Sequence, residues 1–252
     1  MSEPRVTAGA LHRLFNARNI ALVGASERST WSHLLIRRFQ DFGHQGQLHA
    51  VNREGKPAHG LPGYRSCCDI PEPPDAAIVF VPAQAVAGAL EDAADAGIAS
   101  AIVLSSGFAE AGESGATLQR ELVETARRRG ITMVGPNSLG FANIARGAVA
   151  TAIGTRLPVL KGHIGVVSQS GAVANEIGKF AHQQGMGLSF ICATGNEAMV
   201  TPADVIDYLV QDPETRVIAA YVEAVSATDC LADAARRAVS YTHLTLPTNR
   251  EV

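Results

Sequence analysis

The chain has 252 residues, 46% of them hydrophobic and 18% charged, with a formal net charge of -3. That composition buries a real core and excludes a disordered chain, and the charge offers no electrostatic argument for nucleic acid or an anionic membrane. Only 5% of residues are aromatic, which argues against a base-stacking surface. No apolar run reaches the length of a bilayer span, and the first residues lack a signal peptide's apolar core, so a cytoplasmic protein is expected.

In chain order, an amphipathic helix is predicted over 11–16, then a buried strand over 19–23 that closes on the turn Gly24-Ala25-Ser26. A helix follows over 32–42, a strand over 47–51 closing on Asn52-Arg53, and a loop over 55–63 rich in Gly and Pro. The apolar strand 76–81 is stopped by Pro82 and followed by an Ala-rich helix over 83–96. Next come a strand over 101–104 with the exit Ser105-Ser106-Gly107-Phe108, a helix over 114–129, and a strand over 131–134 leading to Gly135-Pro136-Asn137. Strands that are continuous apolar runs, alternating with helices, predict a parallel sheet covered on both faces. Ligands of such sheets bind outside the carboxyl ends of the strands. Four of these five strand ends carry Gly, Ser or Asn that a core would not require.

Residues 141–160 show no clear period and read as a crossing between two domains. The alternation then restarts with a strand over 164–167, a helix over 172–184 and a strand over 188–193. A capped helix follows over 202–210, with Thr201 as cap and Pro202 at its first position. A strand over 217–222 ends on Glu223, and a last helix covers 228–239. The turn Ser168-Gln169-Ser170-Gly171 joins a strand to a helix N-terminus, where unpartnered amides and the positive end of the helix dipole suit an anion. An ordinary strand-to-helix turn with a Ser cap explains the same residues. Residues 240–252 lack the helical period and resemble a translated sequencing-adapter read-through, so the natural protein is expected to continue past Val239.

The four cysteines (Cys67, Cys68, Cys192, Cys230) fit neither a disulfide framework nor a zinc site, and the His spacing predicts no metal. Cys192 and Cys230 are expected as buried thiols. The first turn has one Gly where G-x-G-x-x-G has three, and Asn52-Arg53 replaces the acid expected on a ribose, which disfavours NAD. A Walker A lysine motif is missing too. CoA remains possible, with its pyrophosphate at the Gly24 turn and its thiol arm along the strand ends.

Eight ordered motifs carry a family resemblance. They are Gly24-Ala25-Ser26, Val81-Pro82, Ser105-Ser106-Gly107-Phe108-Ala109-Glu110-Ala111-Gly112, Gly135-Pro136-Asn137-Ser138-Leu139-Gly140, Ser168-Gln169-Ser170-Gly171-Ala172, Gly195-Asn196-Glu197, Asp212-Pro213-Glu214-Thr215 and Tyr221-Val222-Glu223. Over residues 8–239 the chain resembles the NDP-forming acyl-CoA synthetases, relatives of the succinyl-CoA synthetase alpha subunit. The resemblance implies an α/β protein: a Rossmann-like CoA-binding domain over 8–143, a linker over 144–160, and part of a flavodoxin-like ligase domain over 161–239; residues 240–252, outside it, are expected as an artefactual tail from their own pattern. It implies a ligase that interconverts acyl-CoA, NDP and phosphate with free acid, CoA and NTP, through an acyl phosphate and then a phosphohistidine. Its partners would be CoA, as substrate, and a small organic acid, with ATP/ADP and Mg reached only through a separate nucleotide-grasp domain or beta subunit, in an oligomer.

By position, the resemblance places Gly24, Ala25, Ser26, Asn52, Val81 and Pro82 at the CoA site and Ser105, Gly107 and Asn137 near the thioester. It places Ser168, Gln169, Ser170 and Gly171 around the phosphate, and Glu223 as the catalytic carboxylate that orients the phosphorylated His. The family's nucleophilic His lies in a Ser-His-Thr-Gly stretch that does not occur among these residues; His243 has Thr before it and Leu after it. A chain that binds CoA without turning over unaided is therefore expected. The competing readings are an inactive CoA-binding module, including the synthetase-like part of a protein acetyltransferase, and an NAD(P)-dependent oxidoreductase. The few, small residues at the strand ends hint at a short acid.

Overall fold

The structure is a computed structural model that describes residues 6–154, 158–224, 228–241 and 243–245. Its first sheet has the order β3-β2-β1-β4-β5-β6 and is parallel throughout. The strands are β1 (Ile20–Val23), β2 (Leu48–Val51), β3 (Gly63–Tyr64), β4 (Ala76–Val79), β5 (Ser100–Val103) and β6 (Thr132–Val134). The predicted all-apolar strands follow from burial on both faces. Ile20, Leu22, Ile78 and Ile102 enter one core, and their alternates Ala21, Val23, Val79 and Val103 enter the other. Burying each such Ile, Leu or Val contributes about 1.5–3 kcal/mol.

Helices α1 (Ala8–Phe15), α2 (Thr30–Asp41), α3 (Ala83–Asp95) and α4 (Glu113–Arg128) accompany this sheet. The Ser29 hydroxyl caps α2 by accepting from Ser32 N at 3.2 Å. Strand β3 lies at the end of the stretch expected as loop.

The second sheet is mixed, in the order β12-β11-β9-β10-β7-β8. Strands β9 (Lys161–Ser168), β10 (Leu188–Ala193), β11 (Val217–Tyr221) and β12 (His243–Thr245) are parallel; β7 (Gly140–Asn143) and β8 (Ala148–Thr151) form an antiparallel hairpin on its edge. Helices α5 (Gly171–Gln183), α6 (Pro202–Gln211) and α7 (Thr228–Tyr241) complete it. Within the stretch 144–160, expected as a linker, β8 pairs with β7, and both strands belong to the second sheet. Period was no guide there because both hairpin strands are buried along their whole length. Regular backbone also continues past Val239, to Tyr241 in α7 and then through β12. Residues 242 and 246–252 of the expected tail lie outside the described residues.

One core runs from the first sheet into the second. Phe15, at the end of α1, packs edge-on against Phe141 at 5.0 Å and Phe190 at 5.1 Å, on β7 and β10. Asn143 Nδ2 donates to the Phe15 carbonyl at 3.0 Å beside these rings. The cysteines are all free; Cys192 is buried as expected, whereas Cys230 is only half-buried.

Candidate functional site

Strand order reverses between β1 and β4, so the chain leaves these neighbours toward opposite sides and opens a crevice at their carboxyl ends. Gly24 forms its floor at φ +107°, where a Cβ would sit 3.1 Å from Val81 Cγ1 and 3.3 Å from the Phe80 carbonyl. Only glycine combines that backbone with so close a neighbour. The crevice is a cleft of about 750 Å³ whose walls include Gly24, Ser26, Asn52, Val81 and Pro82. Ala25 lies fully buried beneath it and serves packing. The Asn52 side chain closes its own turn: Oδ1 accepts from Glu54 N at 3.2 Å and Lys56 N at 3.1 Å.

Four cations that the predicted set does not include, Arg28, Arg53, Lys56 and Arg65, line the same cleft. Its three carboxylates have partners within the protein. Glu54 pairs with Lys56 at 2.5 Å, Glu27 accepts from His59 N at 2.6 Å, and Asp92 accepts from Cys67 N at 2.8 Å and from the Ser66 hydroxyl. The hydrogen bond and charge of Lys56 hold Glu54 below the usual carboxylate range. A glycine floor with a cationic rim suits a polyphosphate ligand. Arg53, Lys56 and Arg65 lie within thirteen residues of one another, and Arg28 joins them from the loop after β1.

A second cavity, of about 740 Å³, lies where the two sheets meet. The loop after β10 runs along the exit of β6: Asn196 N donates to the Pro136 carbonyl at 2.9 Å, Ala198 N to Gly135 at 3.1 Å and Val200 N to Met133 at 3.3 Å. Gly195, at φ +65°, makes this approach possible, since a Cβ there would lie 2.5 Å from the Asn137 and Pro136 carbonyls. Asn137 lines the cavity at φ +54°, and its Nδ2 donates to Asn196 Oδ1 at 3.2 Å. Ser105 does not reach the cavity wall, because its hydroxyl donates to the Val81 carbonyl at 2.6 Å; its neighbour Ser106 lines the cavity instead. Gly107 N donates to Glu110 Oε1 at 2.6 Å.

The strand-to-helix turn at the end of β9 opens into this cavity through Gln169, Ser170 and Gly171. The Ser170 hydroxyl caps α5 by accepting from Val173 N at 3.4 Å. The first-turn amides of Gly171 and Ala172 have no acceptor within the helix and carry its positive dipole end. Ser168 is buried below, its hydroxyl donating to the Ser170 carbonyl at 2.7 Å, so it shapes the turn from beneath. Gln169 clamps the turn to the loop after β11: its Oε1 accepts from Ala224 N at 2.9 Å and from Glu223 N, and its Nε2 donates to the Ala224 carbonyl at 2.6 Å. This places Glu223 on the wall that carries the helix N-terminus.

Two further carboxyls, outside the set of residues expected from the sequence, line the cavity. Glu197 sits at φ +55° and accepts from the Thr194 hydroxyl at 3.2 Å. Burial, and then the charges of Asp204 and Glu223, push its carboxyl above the usual range, against hydrogen bonds from Gln169 and Thr194. Glu110 shows the opposite balance. Burial works against its charge, but hydrogen bonds from Asn196, Gly107 and Phe108 outweigh it and hold the carboxyl low. The described lining has three carboxyls and no Lys, Arg or His, so the α5 N-terminus is the one positive feature among the described lining residues. Among the described residues no group of three or more His, Cys, Asp or Glu could hold a metal ion, and no helix is long and apolar enough to cross a membrane.

Two protein-family descriptions match the chain: "CoA binding domain" over residues 18–144 and "Succinyl-CoA ligase like flavodoxin domain" over 161–244. Among curated proteins, the chain is 38% identical over 216 residues to acetate--CoA ligase [ADP-forming] I of Archaeoglobus fulgidus, covering 85% of this chain and 31% of that protein. It is 32% identical over 221 residues to the alpha subunit of acetate--CoA ligase [ADP-forming] I of Pyrococcus furiosus, covering 86% of this chain and 47% of that one. The chain thus spans about a third to a half of these relatives' lengths. Among solved structures, the dinucleotide-forming acetyl-coenzyme A synthetase 1 of Ca. Korarchaeum cryptofilum, in complex with phosphate and ADP, superposes with TM-score 0.86 at 32% identity. That match covers 93% of this chain and 50% of that one.

Proposed function

We propose, because the chain belongs to the NDP-forming acyl-CoA synthetase family, that it is the CoA- and acyl-phosphate-handling part of an acid–CoA ligase. CoA lies along the first cleft, its phosphates on the Gly24 turn and the rim of Arg28, Arg53, Lys56 and Arg65. Its thioester reaches the second cavity near Asn137 and Ser106. There a phosphate oxygen attacks the thioester carbonyl, the C–S bond breaks, the thiolate leaves on CoA and an acyl phosphate forms. The amides of Gly171 and Ala172 hold the phosphoryl oxygens, and the α5 dipole stabilises their charge. An imidazole nitrogen oriented by Glu223 then attacks the phosphorus, the P–O bond breaks, the acid leaves as its carboxylate, and the phosphoryl group passes on to ADP.

The observation that carries this reading is the clamp by Gln169, which joins a helix N-terminus and the Glu223 loop in one cavity at the meeting of the two sheets. The cavity's described lining offers a carboxylate for an imidazole but no imidazole. We infer that the His, the nucleotide-grasp domain and its Mg are supplied from outside these residues, in an oligomer acting in the cytoplasm on a small organic acid.

The test is a thermal-shift series with CoA, ADP and NADH. CoA at 100 times its Kd should stabilise the chain by about 2.7 kcal/mol; ADP, which has the diphosphate without the pantetheine arm, should shift the midpoint less, and NADH should leave it unmoved. A shift with NADH alone would overturn the CoA assignment.

A further inference from the structure

Trp31 is the sole tryptophan of the chain, and in the folded protein it is 40% exposed. It stands in the first turn of α2, on a backbone fixed by the Ser29 cap, and lines the cavity between the sheets. Among the described residues no aromatic pair includes it, although Phe15, Phe141, Phe190 and Tyr208 stack together in the core. Leu104, Leu139 and Ala172 line the same cavity, which thus combines an apolar wall with the polar groups of Asn137, Gln169, Ser170, Glu197 and Glu223.

An indole left half in water is an unspent apolar surface, and in a cavity it marks where a ligand's own apolar part would sit. A two-carbon acid would use almost none of it. Resting on the acid–CoA ligase reading above, we propose that Trp31 is a specificity-determining residue that stacks on the acyl group, and that the acid is one with an aromatic ring. The carboxyl carbon lies among the polar groups near Asn137 and Gly171, and the ring lies over the indole against Leu104 and Leu139. The hint of a short acid came from the small residues at the strand ends, which approach the carbonyl end and say nothing of the tail.

Because Trp31 is the only tryptophan, its fluorescence reports on this cavity directly. CoA, acetyl-CoA and phenylacetyl-CoA are titrated into the full chain, read by fluorescence for the parent and by calorimetry for the parent, W31A and W31F. Phenylacetyl-CoA should quench the emission and bind roughly tenfold more tightly than acetyl-CoA, as expected for one aromatic pair plus its buried area. W31A should lose that factor of roughly ten, about 1.4 kcal/mol, for phenylacetyl-CoA alone, and W31F should recover most of it. An equal loss for all three ligands would show that Trp31 serves the pantetheine arm, and would overturn the proposal. Unchanged binding in W31A would overturn it as well. If the parent binds none of the three, the CoA reading itself fails and this proposal goes with it.

Discussion

Glu197 and Glu110 line one cavity and titrate in opposite senses. Glu197 is pushed up, first by burial and then by Asp204 and Glu223. The stability tied to its raised value is fully present below the unfolded-state pKa of about 4.3 and is lost as pH rises through the folded value. E197Q, which keeps the shape without the charge, should therefore gain in Tm on the parent as pH is raised from about 4 to 8. A difference that shrinks over that range would contradict the assignment. Glu110 is held low by Asn196, Gly107 and Phe108, so its contribution is present above the unfolded value and fades as pH falls through the folded one. E110A removes acceptors that face the other unit through Asn196; with Glu110 itself exposed, we expect a loss of about 1 kcal/mol in a denaturant melt at neutral pH. At this scale the sequence was a partial guide. Glycines and small polar residues announced the strand ends, but nothing in Gly195-Asn196-Glu197 shows that Glu197 adopts a left-handed backbone or lies within reach of Glu223. Those facts depend on a loop meeting its counterpart from the other sheet.

Among the elements, the strand-to-helix junctions carry both stability and site. Thr201 caps α6 in a capping box with Asp204, its hydroxyl accepting from Asp204 N at 3.4 Å while Asp204 Oδ2 accepts from Thr201 N at 3.0 Å. T201A should cost about 1 kcal/mol in a chemical melt. S170A removes the equivalent cap of α5 at a similar cost, and should also weaken phosphate binding, which T201A should not. Both caps were legible because capping residues act on neighbours three positions away. The hairpin of β7 and β8 was not legible, since its strands are buried throughout and β7 pairs with β10, which comes more than forty residues later.

For the whole molecule, the shared core predicts shared cooperativity. Phe15 is fully buried between α1 and the second sheet, in a cluster that also holds Ile20, Leu22 and Ile78 of the first. F15A should cost about 3–5 kcal/mol and lower the stability of both units together, in one calorimetric transition. Two separated transitions would show that the units melt independently. Activity is predicted at the same scale. With acetyl-CoA, ADP and phosphate, these residues alone should release no ATP above background, because the lining around Glu223 contains no His. Steady ATP release would place a phosphoryl carrier within this chain.

What the sequence by itself determined is what depends on neighbours along the chain: apolar runs that must be strands buried on both faces, helix caps, glycine turns, and the ordered motifs that carry the family resemblance. The residues expected at a CoA site and a phosphate turn come from those motifs through the resemblance, and most of them line one cavity or the other. Only the tertiary structure decided which strand ends face each other. It brought Arg28 together with Arg53, Lys56 and Arg65 around one cleft, and put Trp31 in one cavity with Glu197 and Glu223. It also decided that the hydroxyls of Ser105 and Ser168 each donate to a backbone carbonyl. A side chain's chemistry is written in its identity, but whether that chemistry points at a ligand or at the protein is set by packing between segments far apart in the chain.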